Sequence, residues 1–71
     1  MIFSINGKLT PRQQQFLHFL ILTSGNGAES ARLAGYSERS AKEIAYKLLQ
    51  QDKIKKEANR LFKRYNIDYD Y

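Results

Sequence analysis

Apolar positions recur at helical spacing in four stretches of this 71-residue chain, and polar or glycine-containing breaks separate them. In the first, Phe16, Leu17, Leu20 and Ile21 form one stripe. Phe19 and Leu22 fall on the other side, so this helix is apolar nearly all the way round. Such a helix is hard to bury within so small a domain: either the fold wraps it or one face meets another subunit. Thr10-Pro11-Arg12-Gln13 marks its start, with Thr10 as cap, Pro11 at the first helical position and Gln13 completing a capping box. The helix runs to about Thr23, where Ser24-Gly25-Asn26-Gly27 breaks it. Asn26 and Glu29 then form a second capping box for a short helix from Gly27 to Ala34. Ala28, Ala31 and Ala34 let a neighbour approach closely, and Leu33 supplies the bulkier contact. Gly35 ends this helix in a left-handed conformation, and Tyr36 packs its ring into the angle before the next helix.

Ser37 is the expected cap of the third helix, with Glu38 favouring its positive end. Ala41, Ile44, Ala45 and Leu48 make the buried stripe, with Leu49 at its margin. Arg39, Lys42, Glu43, Tyr46, Lys47 and Gln50 face outward. Gln51-Asp52 interrupts, and Asp52 is the expected cap of a fourth helix seated by Ile54, Ala58, Leu61, Phe62 and Tyr65. The outer face of that helix holds Lys53, Lys55, Lys56, Arg60, Lys63 and Arg64, opposed by Glu57. The pattern predicts an all-α fold, a small bundle of about four helices. Within it, a short helix, a turn at Gly35-Tyr36-Ser37 and a longer helix read as a helix-turn-helix. Residues 1–9 are expected to be an N-terminal arm and 10–65 the domain; 66–71 form a tail with no closing signal.

Charge adds a direction. Twelve Lys and Arg stand against seven Asp and Glu, a net charge of +5, and two of the acids, Asp68 and Asp70, lie in the tail. A small basic helical domain points to a polyanion partner, although positive charge also serves solubility alone. The chain has no cysteine, hence no disulfide framework and no thiolate metal site. Met1-Ile2-Phe3-Ser4 is not a secretion signal, and the apolar run from Phe16 to Leu22 falls far short of the roughly 20 residues that span a bilayer. A soluble, intracellular protein without a membrane partner is expected.

Catalysis is not supported. His18 is alone inside an apolar helix, the carboxylates are scattered, no Gly-Lys-Ser/Thr follows Gly25 and Gly27, and no metal-ligand spacing exists. No enzyme activity, cofactor or metal is expected. DNA binding is the specific reading. In a helix-turn-helix the second helix enters the major groove with its N-terminal residues toward the base edges. That assigns Arg39, Ser40, Lys42 and Glu43 as base-edge readers, since arginine grips guanine with two hydrogen bonds and glutamate accepts from cytosine. Tyr46 and Lys47 would touch the backbone. Backbone N–H groups near Gly27 and Ala28 would hold a phosphate, and Lys53, Lys55 and Lys56 are outer candidates. A solvated, salt-paired helix face would carry the same residues. A transcriptional regulator built on the same motif, and a protein-interaction module docking an acidic partner, remain alternatives.

Leu9-Thr10-Pro11-Arg12-Gln13 followed by Phe16, then Asn26, Ala31 and Ala34-Gly35-Tyr36-Ser37, then Ala41, Leu48-Leu49 and Ile54, resembles the N-terminal domain of the bacteriophage terminase small subunit. The resemblance covers residues 9 to about 58. Gly27 and Ser30 stand where that family commonly has alanine. Phe19 and Leu22 are apolar where it is usually polar. The resemblance implies a non-catalytic subunit in the cytoplasm of the infected bacterial host. It would recognise the packaging-initiation site on double-stranded viral DNA and present that DNA to the terminase large subunit, which holds the ATPase and nuclease. It also implies a homo-oligomeric ring in the full-length protein. The family's oligomerisation region follows this domain, so the tail at 66–71 is expected to be its beginning and the chain a truncated one.

Overall fold

The structure, a computed structural model, describes residues 9–66. The arm up to residue 8 and the tail beyond Asn66 lie outside the described residues. Four helices follow in order: α1 Pro11–Leu22, α2 Gly27–Leu33, α3 Ala41–Gln50 and α4 Asp52–Arg64. α1 packs on α2 and α4, and α3 packs on the same two helices, so the four enclose one core. Phe16, Leu17, Leu20, Ile54 and Leu61 lie at its centre, fully buried. Leu9, expected in the arm, is also buried there. Among the described residues no helix is long and apolar enough to cross a membrane.

The start of α1 forms as its residue types dictate. Thr10 Oγ1 accepts the Gln13 N–H at 3.1 Å, and Gln13 Oε1 accepts the Thr10 N–H at 3.0 Å. Most of the apolar surface of α1 is covered, because Phe19 and Ile21 pack against the core from its edge. Leu22 remains 62% exposed.

α1 and α2 end in the same way. At the end of α1, Gly25 N–H reaches back to Leu20 O (2.7 Å) and Ser24 N–H to Ile21 O (3.1 Å). At the end of α2, Tyr36 N–H reaches Ala31 O (3.0 Å) and Gly35 N–H reaches Arg32 O (3.1 Å). These pairs satisfy carbonyls that a helix end otherwise leaves open, and they require a left-handed residue just past the cap. Gly35 takes that role at φ 99°, and Ser24 takes it at φ 57° without glycine's freedom. Asn66 is also left-handed after α4, at φ 58°, with its N–H on Lys63 O. The expected tail without a closing signal therefore opens on one, at Asn66.

Several local expectations are corrected. Ser37 does not cap α3. Its carbonyl accepts the Ser40 N–H, Glu38 O accepts the Ala41 N–H, and this extra turn delays α3 until Ala41, with Ser40 at the cap position. Arg39 and Ser40 therefore belong to the turn before α3. Asp52 lies inside α4, after Gln51, whose extended backbone alone separates α3 from α4. Asp52 acts there as an acid in the first turn, favoured by the helix dipole. Asn26 caps α2 through the Glu29 N–H, but the reciprocal half of the box is missing, because Thr23 Oγ1 accepts the Asn26 N–H and the Glu29 carboxylate turns to Arg32.

The inner face of α2 is made of small residues. Gly27, Ser30, Ala31 and Ala34 recur at helical spacing, and the last three are buried. Leu33 falls off that stripe and is 44% exposed, so it is not the bulk of the contact. A methyl group at Gly27 would come within 3.2 Å of Ala45 Cβ on α3. Such close approach lets the short α2 fix the position of α3. Ser30 is buried within a hydrogen-bonded ring linking α1 to α2: its Oγ–H donates to Asn26 O at 2.6 Å and its Oγ lies 3.0 Å from Thr23 Oγ1. The predicted stripe of α3 is buried at Ala41, Ala45, Leu48 and also Leu49, while Ile44 is half-buried. On α4, Tyr65 stands 41% exposed at the end of an otherwise buried row.

Candidate nucleic-acid interface

With Ala41, Ala45, Leu48 and Leu49 turned inward, helical geometry sends Lys42, Glu43, Tyr46, Lys47 and Gln50 outward. All five are exposed, Tyr46 at 68%. The predicted set on α3 is thus brought onto one face. Arg39 is exposed in the preceding turn, and Ser40 is half-buried with no capping bond from its side chain. The first-turn residues of α3 that point outward are Lys42 and Glu43, with Arg39 just before them. Among the described residues Arg39, Lys42 and Lys47 are held in no ion pair. Their charges are therefore available to a ligand, tempered by Glu43 in the first turn, where a carboxylate also suits the helix dipole.

α2 adds little net charge beside this face. Arg32 donates from Nε to Glu29 Oε1 at 3.2 Å, with a second bond from its other nitrogen to Oε2. The side-chain hydrogen bond from Arg32 holds the Glu29 carboxyl below the usual carboxylate range. Around Gly27 and Ala28, Asn26 already takes the Glu29 N–H, and the Ala45 contact gives Gly27 a packing role of its own.

α4 supplies a second charged surface. Its buried residues Ile54, Ala58, Leu61 and Phe62 leave Lys53, Lys56, Arg60, Lys63 and Arg64 exposed along the opposite side. These five recur at helical spacing, so they share one stripe about 16 Å long. Lys55 stands apart, half-buried at the margin. Glu57 engages Arg60, whose Nε donates to Oε1 at 3.1 Å, and that bond raises the arginine pKa further. Of the residues on this helix, Lys53, Lys55 and Lys56 are the expected site candidates. The stripe extends from Lys53 and Lys56 to Arg60, Lys63 and Arg64, a grouping that the helical spacing already contained.

Another basic group lies near the turn before α3. The Arg12 guanidinium sits over the Tyr36 ring, 5.5 Å from its centroid. Tyr36 is half-buried against the core, and burial raises its hydroxyl pKa, with Arg12 working in the opposite direction. In the sequence Arg12 is legible only as part of a helix start, outside the expected site. The contact spans residues far apart in the chain, and helical periodicity does not report it.

Among the described residues no group of His, Asp or Glu is arranged to hold a metal ion. His18 lies edge-on to Phe19, with ring centroids 5.2 Å apart.

No curated protein and no solved structure matches the chain. The family model described as terminase small subunit matches residues 9–67, which takes in all four helices and the faces just described. The chain therefore belongs to the terminase small subunit family and has a role in viral DNA packaging.

Proposed function

We propose that the chain is the DNA-recognition module of the packaging machinery. It engages duplex DNA with the outward face of α3 and does no cutting itself. α2, its turn and α3 act as a helix-turn-helix. Lys42 and Glu43 on the first turn of α3, with Arg39 and Ser40 just before it, address base edges. Tyr46 and Lys47 contact the strand beyond. Lys53 and Lys56, joined by the rest of the α4 stripe, add attraction for phosphates that does not depend on sequence. Lys55 and the backbone of Gly27 and Ala28 are peripheral members, given the half-buried position of Lys55 and the acid already placed beside Gly27 and Ala28. The module then presents DNA to the terminase large subunit in the cytoplasm of the infected bacterial host. In the full-length protein it works within a homo-oligomeric ring.

One observation carries this reading. A face holding Lys42, Tyr46 and Lys47 is exposed on a helix fixed from behind by the small-residue face of α2. A helix already held in place with outward cations suits groove binding, because little backbone order remains to be imposed on contact. The test is a titration of the chain with duplex DNA at several salt concentrations. Neutralising Z phosphates gives a log–log slope of about −0.9Z. A clear negative slope supports the proposal, and no binding even at about 20 mM salt, well below the usual range of such measurements, sinks it.

A further inference from the structure

The Arg12 guanidinium rests on the Tyr36 ring, 5.5 Å from its centroid. It also lies against the turn itself, where a side chain added at Gly35 would come within 3.8 Å of Arg12 Nε. Arg12 is exposed, and among the described residues no carboxylate pairs with it. Around it is an open groove lined by Pro11, Gln15, Ala34 and Tyr36. Gln15 is exposed too, with an amide able to donate beside the guanidinium. A planar cation stacked on an aromatic ring keeps its N–H edge free for an anion, and the ring limits how far it wanders. The arrangement differs from a solvated arginine because its platform, Tyr36, is itself packed against the core.

Position gives this cation a partner. Tyr36 is three residues from Arg39, so their Cα atoms are at most about 11 Å apart. The major groove of B-DNA is about 12 Å wide. Tyr36 thus lies within one groove width of Arg39, and the guanidinium it carries is beside the turn that leads into α3, on the approach to a strand flanking a groove that Arg39 and Lys42 would enter. We infer that Arg12, carried on Tyr36 and assisted by Gln15, is a phosphate contact on the DNA strand beside the groove occupied by α3. This inference rests on the DNA reading above. It makes the start of α1 a second point of attachment, which fixes the angle at which α3 meets the duplex.

The test uses the full chain and a fluorescein-labelled duplex of arbitrary sequence, with affinity read by anisotropy across a salt series. Arg12→Ala is expected to weaken binding several-fold and to make the log–log slope shallower by about 0.9, the loss of one phosphate contact. Arg12→Lys, which keeps the charge without the planar stack, restores the slope but only part of the affinity. Arg12→Gln repeats the comparison with a long neutral side chain and decides the matter if Arg12→Ala loses helix by circular dichroism. Arginine acting only as a support for Tyr36 would change thermal stability and leave the slope alone, and that result overturns the inference. Wild-type binding with an unchanged slope in both neutral variants overturns it without touching the α3 proposal. No binding by the wild-type chain overturns both.

Discussion

Replacing Ser30 with alanine opens a closed ring of hydrogen bonds at the junction of α1 and α2. The ring runs from Asn26 N–H to Thr23 Oγ1, from Thr23 to Ser30 Oγ, and from Ser30 Oγ–H back to Asn26 O. Ser30 is fully buried, so its loss looks severe at first sight. The partners argue otherwise. Asn26 O still accepts the Ser30 backbone N–H at 2.9 Å. Thr23 Oγ1 has Leu20 O and Asn26 O within 3.4 Å and keeps the Asn26 N–H at 3.1 Å. No buried group is orphaned, so the cost is one net hydrogen bond, about 0.5–1.5 kcal/mol. Alanine offsets part of it, up to about 0.5 kcal/mol, through helix propensity. The net loss should stay below about 1.5 kcal/mol, a fall in Tm of no more than about 6–12 °C for a domain of this size. Thr23→Val removes the hub of the ring and should cost about 1 kcal/mol or more. Because both changes break the same ring, the double variant should lose less than the sum, with a coupling of about 0.5–1 kcal/mol. Urea and thermal unfolding followed by circular dichroism give all four corners of the cycle. A loss above about 2 kcal/mol for Ser30→Ala, the signature of an orphaned buried group, would refute the reasoning. So would strict additivity.

Three further outcomes follow from the backbone and the ring packing. Ser24→Gly should stabilise the chain by about 0.5–1 kcal/mol, because Ser24 sits at φ 57° and a non-glycine residue is strained there; an unchanged or lower Tm would contradict it. Gly35→Ala should destabilise by about 1–2 kcal/mol at φ 99°, measured by the same melts, and should loosen the lead into α3. Tyr36 is held neutral by burial, which raises its pKa, so its contribution to stability is complete below the unfolded tyrosine pKa and is lost as pH climbs through the higher folded value. Tyr36→Phe should therefore flatten the alkaline end of a Tm-against-pH curve, and an unaltered curve would show that the hydroxyl is not the group responsible.

The fold was legible where local chemistry decides it. The Thr10–Gln13 box, the left-handed Gly35 and the inward stripes of α3 and α4 depend on residues within one or two turns of each other. The start of α3 was not. Ser37 has the chemistry of a cap, but the return bonds at Gly35 and Tyr36 and the further turn through Glu38 leave it one turn too early. Asn66 was missed because asparagine enters the left-handed region less freely than glycine, and its identity alone signals it weakly. Leu33 has the size of a core contact but the wrong phase: the row 27, 30, 31 and 34 faces inward, and Leu33 falls outside it. In the candidate interface, the outward row of α3 could be read from periodicity. The Arg12–Tyr36 contact could not, since it joins α1 to a turn more than twenty residues later.

The central claim is that α3 meets DNA with the side chains around its first turn. Anisotropy titration of the Arg39→Ala/Lys42→Ala variant against the wild-type chain tests it most directly, at about 50 mM salt, within the range where phosphate contacts are strongly felt. Both residues are exposed, so the variant should keep the wild-type melting curve. The account predicts a loss of about 1–3 kcal/mol per residue that reaches a base, at least fivefold in affinity. A variant that melts like the wild type and binds the duplex just as tightly would contradict it.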